Sequence, residues 1–376
     1  MLFTREFLEA RENENLAPYS AKSTNSQGRD YKEAEDPYRT CFQRDRDRVI
    51  HCKAFRRLKG KAQVFVAHYG DHYRSRLTHT MEVAQLSRDL ARTLGLNEDL
   101  AETIALAHDL GHTPFGHAGQ DTMDQLMKEY GQGFEHNEQS RRVVELLEEK
   151  TPDYRGLNLT FEVRDGLIKH RTSFDQPVSL DVHMPSLEAQ IVNIADEIAY
   201  LNHDIDDGLR SGILKIDSLN GLSLWKRVRA AVDQHLPSPF FISAAISCLI
   251  GLMIHNLAEN THHLIEAADV NQLGSVYKHP KPLAVFSDDF KRECSELKDF
   301  LYEHFYRSGG VADYNIKGQN AIRFLFKKLM TNFQLLPEKI RQNPYGEKDY
   351  ILVKDYIAGM TDQFALDLYD KFKIKL

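Results

Sequence analysis

The sequence predicts an all-α protein, on three observations. Apolar residues recur at helical spacing through most of the chain, strand-like alternation is scarce, and glycine and proline fall at the joins between periodic segments. Val83, Leu86, Leu90 and Leu94 mark one face of a helix after Thr78, which Gly95 closes. Asn97 suits an N-cap, with Glu98 and Asp99 in the first turn, where the helix dipole favours acids. Leu100, Ile104 and Ala107 carry that second helix to a stop at Gly111. A third is expected from Gln120 to Tyr130, before Gly131. Ser186 can cap a long helix through Leu187, Ile191, Ile194, Ile198, Leu201 and Ile205, ending at Gly208. Later helices fit Phe240–Ala267, Asp289–Tyr306, Asn320–Phe333 and Tyr350–Phe372. Before about Tyr38 the chain is polar and poorly periodic, and reads as partly extended over the body.

These segments divide the chain into residues 1–65, an N-terminal segment packing on a core; 66–212, the helical core; and 213–376, a C-terminal helical region. A hydrophobic fraction of 42% with 27% charged residues is enough to build a core, so disorder is not expected. A net charge of −7 argues against a protein that coats nucleic acid through its overall field, although Arg44 to Arg76 holds a local basic excess. Cys41, Cys52, Cys248 and Cys294 are scattered, without CxxC spacing, which suits a reducing compartment and leaves any metal to His and carboxylate. The N-terminus has no apolar stretch of the kind a signal peptide needs. Phe240 to Ile254 is uncharged but shorter than the ~20 residues of a membrane span. A buried helix is expected there, in a soluble cytoplasmic protein without a membrane partner.

The chemistry lies in a few placements. His79 falls one turn before Val83, and His108 one turn after Ile104, so both should face inward, with Asp109 directly following. Asp196 sits between Val192 and Ala199, where an ionised carboxylate is costly unless something compensates it. Two imidazoles and two carboxylates from three helices suit an octahedral Mg²⁺, Mn²⁺ or Fe²⁺ with open water positions. A lone inward histidine is more often a hydrogen-bonded core residue, and His203–Asp204 repeats the dipeptide as a decoy. Context separates the two. His108–Asp109 opens HDLGHTPFGH, where Gly111, Pro114 and Gly116 break the helix and set His112 and His117 on a tight turn. DIDDG at Asp204 to Gly208 fails as a calcium loop, because its twelfth position is Lys215. His262, His263 and Glu266 read as exposed helix. There is no P-loop and no GxSxG elbow, so any phosphate must be handled by metal and basic side chains.

The order His79, His108–Asp109, Asp196 resembles the HD superfamily of metal-dependent phosphohydrolases. The longer runs RSRLTHTMEVAQLSRDLAR, ALAHDLGHTPFGHAG, FEHNEQS and IVNIADEIAYLNHDIDDGLRSG are similar to deoxyguanosinetriphosphate triphosphohydrolases and related dNTP triphosphohydrolases. The likeness is strong over residues 10 to 212 and continues weakly through YIAGMTDQFALDLY. It implies an HD helical bundle with a C-terminal helical extension, hydrolysing a dNTP to deoxynucleoside and tripolyphosphate. By the same resemblance His79, His108, Asp109 and Asp196 hold the metal: Mg²⁺ or Mn²⁺ first, with Fe²⁺, Co²⁺, Ni²⁺ or Zn²⁺ as further options. His117 matches the catalytic histidine and His136 a second active-site histidine. Arg76 and Lys169 match phosphate contacts, and Gln63, Tyr200 and Asp204 contacts to the deoxyribose. Asp196, Tyr200 and Asp204, at i, i+4 and i+8, form one helix stripe.

One position departs from the pattern. Related enzymes carry an acid three residues after the catalytic histidine, where this chain has Gln120, which implies slower or differently tuned turnover. Asp121 or Glu138 could substitute for the missing charge. The resemblance further implies a homo-oligomer, dimer-based or a hexamer, and an activating nucleotide. Single-stranded DNA is a weaker partner expectation, since aromatic interleaving is thin in the basic stretch. The alternating charges of QRDRDR fit either a salt-bridged surface or a nucleotide or subunit contact. Two other functions stay open: another HD phosphohydrolase, and a nucleotide-sensing or DNA-binding protein with weak catalysis.

Overall fold

The structure, a computed structural model, describes residues 2–63, 74–168, 183–307, 309–343 and 346–374. Among these residues all regular structure is helical, and β-pairing is limited to two isolated bridges. In chain order the helices are α1 (Arg5–Asn15), α2 (Cys41–Ile50), α3 (Lys53–Arg57), α4 (Arg76–Thr93), α5 (Glu98–Ala107) and α6 (Gly116–Lys128). Then come α7 (His136–Arg142), α8 (Phe161–Ile168), α9 (Leu187–Arg210), α10 (Ser223–Ala231), α11 (Ser238–Ala267) and α12 (Leu273–Lys278). The last five are α13 (Asp288–Leu301), α14 (Gly309–Thr331), α15 (Glu338–Arg341), α16 (Asp349–Ala358) and α17 (Asp362–Lys373). The chain forms two compact units, each assembled from three separate stretches.

The first unit comprises Met1–Arg48, Met81–Leu106 and Leu159–Ser308. Its spine is α9, which starts where the Ser186 hydroxyl accepts from the Ala189 amide at 3.3 Å. The helix packs on α8, α11 and α13 and is buried along most of its length. It runs past the expected stop at Gly208, because that glycine serves contact and not termination: a Cβ there would stand 2.5 Å from Leu214 Cδ1. The polar start of the chain is also more regular than expected. Residues 5–15 form α1, a helix with no buried residue, so it leaves no apolar period to read. Its anchor is electrostatic instead: the Glu12 carboxylate accepts from the Ser23 amide at 2.7 Å and the Ser23 hydroxyl at 2.9 Å.

The alternating charges of α2 are spent inside this unit. Arg46 binds Asp99 at 2.6 Å and Glu102 at 2.9 Å, Arg44 binds Glu33 at 3.0 Å, and Asp47 binds Arg39 at 2.7 Å. Arg48 pairs with Glu33, and the fully buried Asp45 pairs with Arg29. Helix α11, expected over Phe240–Ala267, runs Ser238–Ala267, and by length and composition it could cross a membrane. Only 39% of its apolar window is buried, so it is a helix with one packed face, against α9 and α10, and not the buried helix that its composition suggested. His262, His263 and Glu266 lie on its exposed side, as expected.

The second unit comprises Val49–Thr80, Ala107–Asn158 and Gly309–Leu376. Its core joins Met123, Leu126 and Met127 of α6 to Ile322, Leu325 and Phe326 of α14, with Val353 and Ile357 of α16 and Leu366 of α17. Helix α14 begins at Gly309, eleven residues before the expected start. Gly309, Gly310 and Gly318 hide it, each costing about 1 kcal/mol relative to alanine. A buried Leu, Ile or Phe contributes about 1.5–3 kcal/mol, so packing overrides propensity. The expected helix over 350–372 is two. Helix α16 ends at Ala358, and Thr361 caps α17 by accepting from the Phe364 amide at 3.4 Å. This break places Asp362 at the first position of α17.

Candidate metal centre and its surroundings

Helix α4 opens with Arg76, and its first turn carries His79; both are buried. Helix α5 ends at Ala107, delivering His108 and Asp109 into the irregular turn that precedes α6. Ligating atoms of His79, His108 and Asp109 all lie within 4.8 Å of one another. The two imidazole rings meet edge-on, with centroids 5.7 Å apart. Asp109 is the hub. One oxygen accepts from Arg76 Nη1 at 2.9 Å, and the other faces His108 Nε2 at 3.3 Å and His112 Nε2 at 3.2 Å. A second group of potential ligands, Asp109, His112 and His136, shares that carboxylate within the same 4.8 Å span.

The turn is held in shape by its neighbours. The Ser140 hydroxyl of α7 donates to the His108 carbonyl at 2.6 Å and accepts from the Gly111 amide at 2.8 Å. Gly111 must be glycine, since a Cβ would stand 2.1 Å from the Ser140 nitrogen. Phe115 takes a left-handed conformation at φ 65°, as does Gly116 at φ 56°, and α6 starts there. A Cβ on Gly116 would press on Arg76 Nη2 at 3.1 Å, so this glycine makes room for the guanidinium. His117 therefore lies in the first turn of α6, a few residues earlier than the helix expected from Gln120. It is exposed, and its ring meets that of His112 edge-on at 5.7 Å.

His112 stacks on His136 with centroids 4.0 Å apart. Burial, followed by the charge of Arg76, holds its imidazole well below the ordinary pKa, so it is neutral. Gln120 does not fill the place of the missing acid by binding His117. Its Nε2 donates to Glu135 at 3.2 Å, which turns Oε1 toward His136 Nδ1 at 2.9 Å. That amide orientation makes Nδ1 the protonated nitrogen and leaves the lone pair on Nε2. Asp121 is an acid in electrostatic contact with His117; burial raises its pKa and His117 opposes the rise.

Among the buried side-chain atoms without a hydrogen-bond partner are several near this turn, including His112 Nδ1. Arg76 Nε and Nη2 have no partner among the described residues, and neither does Gln63 Oε1. Arg76 thus spends one nitrogen on Asp109 and holds two in reserve. Behind the turn, Lys61 donates to the carbonyl of His112 and, at 2.9 Å, to that of Ala358; burial pushes its pKa down to about 7. Asp362 accepts from the amides of Phe115 at 3.0 Å and Ala62 at 2.8 Å, and from the Tyr314 hydroxyl at 3.1 Å.

In the first unit, α9 carries Asp196, Tyr200 and Asp204 on one buried stripe. Asp204 accepts from the Tyr306 hydroxyl, Lys298 pairs with Glu197 at 2.6 Å, and Lys298 Nζ lies 6.0 Å from the Tyr200 ring centre. The decoy histidine, His203, pairs with Glu82.

Comparison with known proteins agrees with this geometry. The HD domain matches residues 76–214, and the phosphohydrolase-associated domain matches residues 284–371. Proteins named deoxyguanosinetriphosphate triphosphohydrolase-like protein align over nearly the whole chain. The one from Geobacter sulfurreducens is 46% identical over 97% of both chains, and the one from Geobacter metallireducens 45% over 96% of both. A third, from Leptospira interrogans, is 43% identical over 98% of this chain and 99% of its own. The chain belongs to the deoxyguanosinetriphosphate triphosphohydrolase-like family.

It is accordingly an HD-type phosphohydrolase, with an all-α fold and buried His/Asp groups able to hold a metal. Of the expected site residues, the second unit brings together His79, His108, Asp109, Arg76, His136, Gln120 and His117 around one turn. Gln63 is half-buried, one residue beyond the Ala62 amide that Asp362 holds. Lys169 lies outside the described residues. Sequence reasoning missed Tyr306 and Asp362, read Lys61 only as part of the basic stretch, and left His112 without a role. For Asp362 a signal existed, since Gly359 followed by Thr361 reads as a helix stop and a new cap.

Proposed function

We propose that the chain hydrolyses deoxynucleoside triphosphates to deoxynucleoside and tripolyphosphate, water displacing the 5′-oxygen at the α-phosphorus. One observation carries this reading: a buried arginine beside the ligand cluster holds two donors in reserve. Leaving such donors unmet is costly, and a phosphate oxygen meets both charge and hydrogen-bond need. The unpaired Gln63 Oε1 wants a hydroxyl donor, which the 3′-position of a deoxyribose offers. Tyr200 and Asp204 follow as sugar contacts, and Lys169 as a phosphate contact, from the resemblance alone.

The cluster fits a divalent ion, because two imidazoles and a carboxylate, all buried, converge within 4.8 Å. His79, His108 and Asp109 would hold it; Asp196 is fourth by resemblance. When bound, such an ion supplies Lewis-acid stabilisation of the charge developing at phosphorus. Arg76 fixes the phosphate, and His117 gives its proton to the departing 5′-oxygen. Asp121 supports the imidazolium of His117 in place of the acid missing at position 120. Gln120 holds His136 in one tautomer, so that its Nε2 accepts a proton or a hydrogen bond from substrate or water. Mg²⁺ or Mn²⁺ is the expected ion, dGTP the first substrate to try from the relatives' names, and a homo-oligomer in the cytoplasm the expected state.

The test is to incubate each dNTP with the chain and Mn²⁺ and to identify the products. Deoxynucleoside with tripolyphosphate is expected, and chelation should abolish its formation until Mn²⁺ is restored. Release of orthophosphate or pyrophosphate alone would overturn the reading.

A further inference from the structure

A cavity of about 350 Å³ lies within the second unit, bounded by α3, α7, α15, α16 and the π-helical turn over Val143–Leu147. None of His79, Asp109, His112 and His136 lines it. Its lining is mixed, with an apolar part formed by Leu110, Val143, Leu147, Ile340, Leu352 and Tyr356. Its volume falls in the range of small-molecule sites.

The charges around it are of two kinds. Every acid is already compensated. Glu148 accepts from the amides of Lys53 at 3.1 Å and Ala54 at 2.7 Å, and Glu149 pairs with Lys339. Asp355 accepts from Gln139 and Arg142, each at 2.9 Å, and lies 3.0 Å from Lys354. The cations Lys53 and Arg57 have no carboxylate partner among the described residues, and both line the cavity. The guanidinium of Arg57 lies over Gly359, with Nη1 3.1 Å from where a Cβ would stand. Lys61 also lines the cavity, its ammonium fixed to two carbonyls.

We propose that this cavity is a second small-molecule site, for an amphipathic monoanion: an apolar body between Leu147 and Leu352 and one acidic group on Arg57 and Lys53. Burial of the body supplies the affinity and the two uncommitted cations select the charge. A polyphosphate does not fit, because two uncommitted cations beside Glu148, Glu149 and Asp355 cannot neutralise several charges.

The test is a fluorescence titration of the full chain with 8-anilinonaphthalene-1-sulfonate, in the presence of saturating inorganic tripolyphosphate. One saturable site per chain is expected, with octanoate competing and 1-octanol not. Arg57→Ala, a change at an exposed side chain, should weaken binding about tenfold, equivalent to about 1.4 kcal/mol. Leu147→Trp, which fills the cavity, should abolish it. The proposal is overturned by the absence of saturable binding, by displacement with tripolyphosphate, by equal competition from octanol, or by unchanged affinity in Arg57→Ala. The titration reads no turnover, so it stands apart from the hydrolysis assay.

Discussion

Asp109 ties the arginine to the histidines: one oxygen accepts a hydrogen bond from Arg76, while the other faces His108 and His112. That contact uses one guanidinium nitrogen and leaves Nε and Nη2 of Arg76 without a partner among the described residues. The expected consequence is that Arg76→Ala lowers kcat/KM by about 10²-fold, the scale of losing a positioned donor to developing charge. Arg76→Lys should recover only part, because an ammonium keeps the charge and loses the planar fork. Steady-state kinetics on dGTP checks this; an unchanged kcat/KM in Arg76→Ala would remove the arginine from the mechanism. At the same scale, the glutamine at position 120 changes meaning. Its absent charge pointed to a weakened His117, yet its amide serves His136, and Asp121 lies in electrostatic contact with His117.

Helix α17 acts on the turn through one residue. Asp362 is buried, and burial raises its carboxyl pKa, opposed by the hydrogen bonds from Ala62, Phe115 and Tyr314. Phe115 is the left-handed residue that starts α6, so Asp362 sets the entry of the helix that carries His117 and Gln120. Asp362→Ala should lower stability by about 3 kcal/mol, as expected when a charged hydrogen-bond hub is lost and buried amides are left unmet. Asp362→Asn, which keeps an acceptor, should lose less. Denaturant unfolding measures both, and equal losses would assign the effect to packing alone. Lys61 makes a parallel brace, from Ala358 at the end of α16 to the His112 carbonyl. Two helices in the stretch matched by the phosphohydrolase-associated domain, α16 and α17, thus brace the turn that carries His108 and Asp109.

For the whole molecule, a buried lysine ties stability to pH. The pKa of Lys61 falls from 10.5 to about 7 in the folded chain, chiefly through burial. Between those values the unfolded chain binds a proton that the folded chain has released, so folding becomes more favourable as pH rises through this window. Below about pH 7 the cost of burying the ammonium is fully present. The wild-type chain should therefore gain stability relative to Lys61→Met between about pH 7 and about pH 9.5. Parallel stability curves for the two proteins would show that the ammonium is solvated or fully compensated. Each unit also gathers stretches of the chain more than a hundred residues apart.

Much of this was written in the chain. The period of Val83, Leu86, Leu90 and Leu94, the cap at Ser186 and the HDLGHTPFGH run sufficed for an all-α fold and for the inward placement of His79, His108 and Asp109. Those features are local, and an amphipathic period or a capped turn carries its own instruction. Where local chemistry was silent or misleading, tertiary contact decided. Helix α1 has no buried face to announce it, α14 is masked by glycines that packing overrides, and Gly208 serves contact and not termination. The partners of Gln120, Lys61 and Asp362 are set by side chains that fall within hydrogen-bond reach only once the chain has closed on itself. The sequence alone therefore determined which groups could do chemistry, and the tertiary structure decided which partners those groups meet, because hydrogen-bond reach depends on how the whole chain closes.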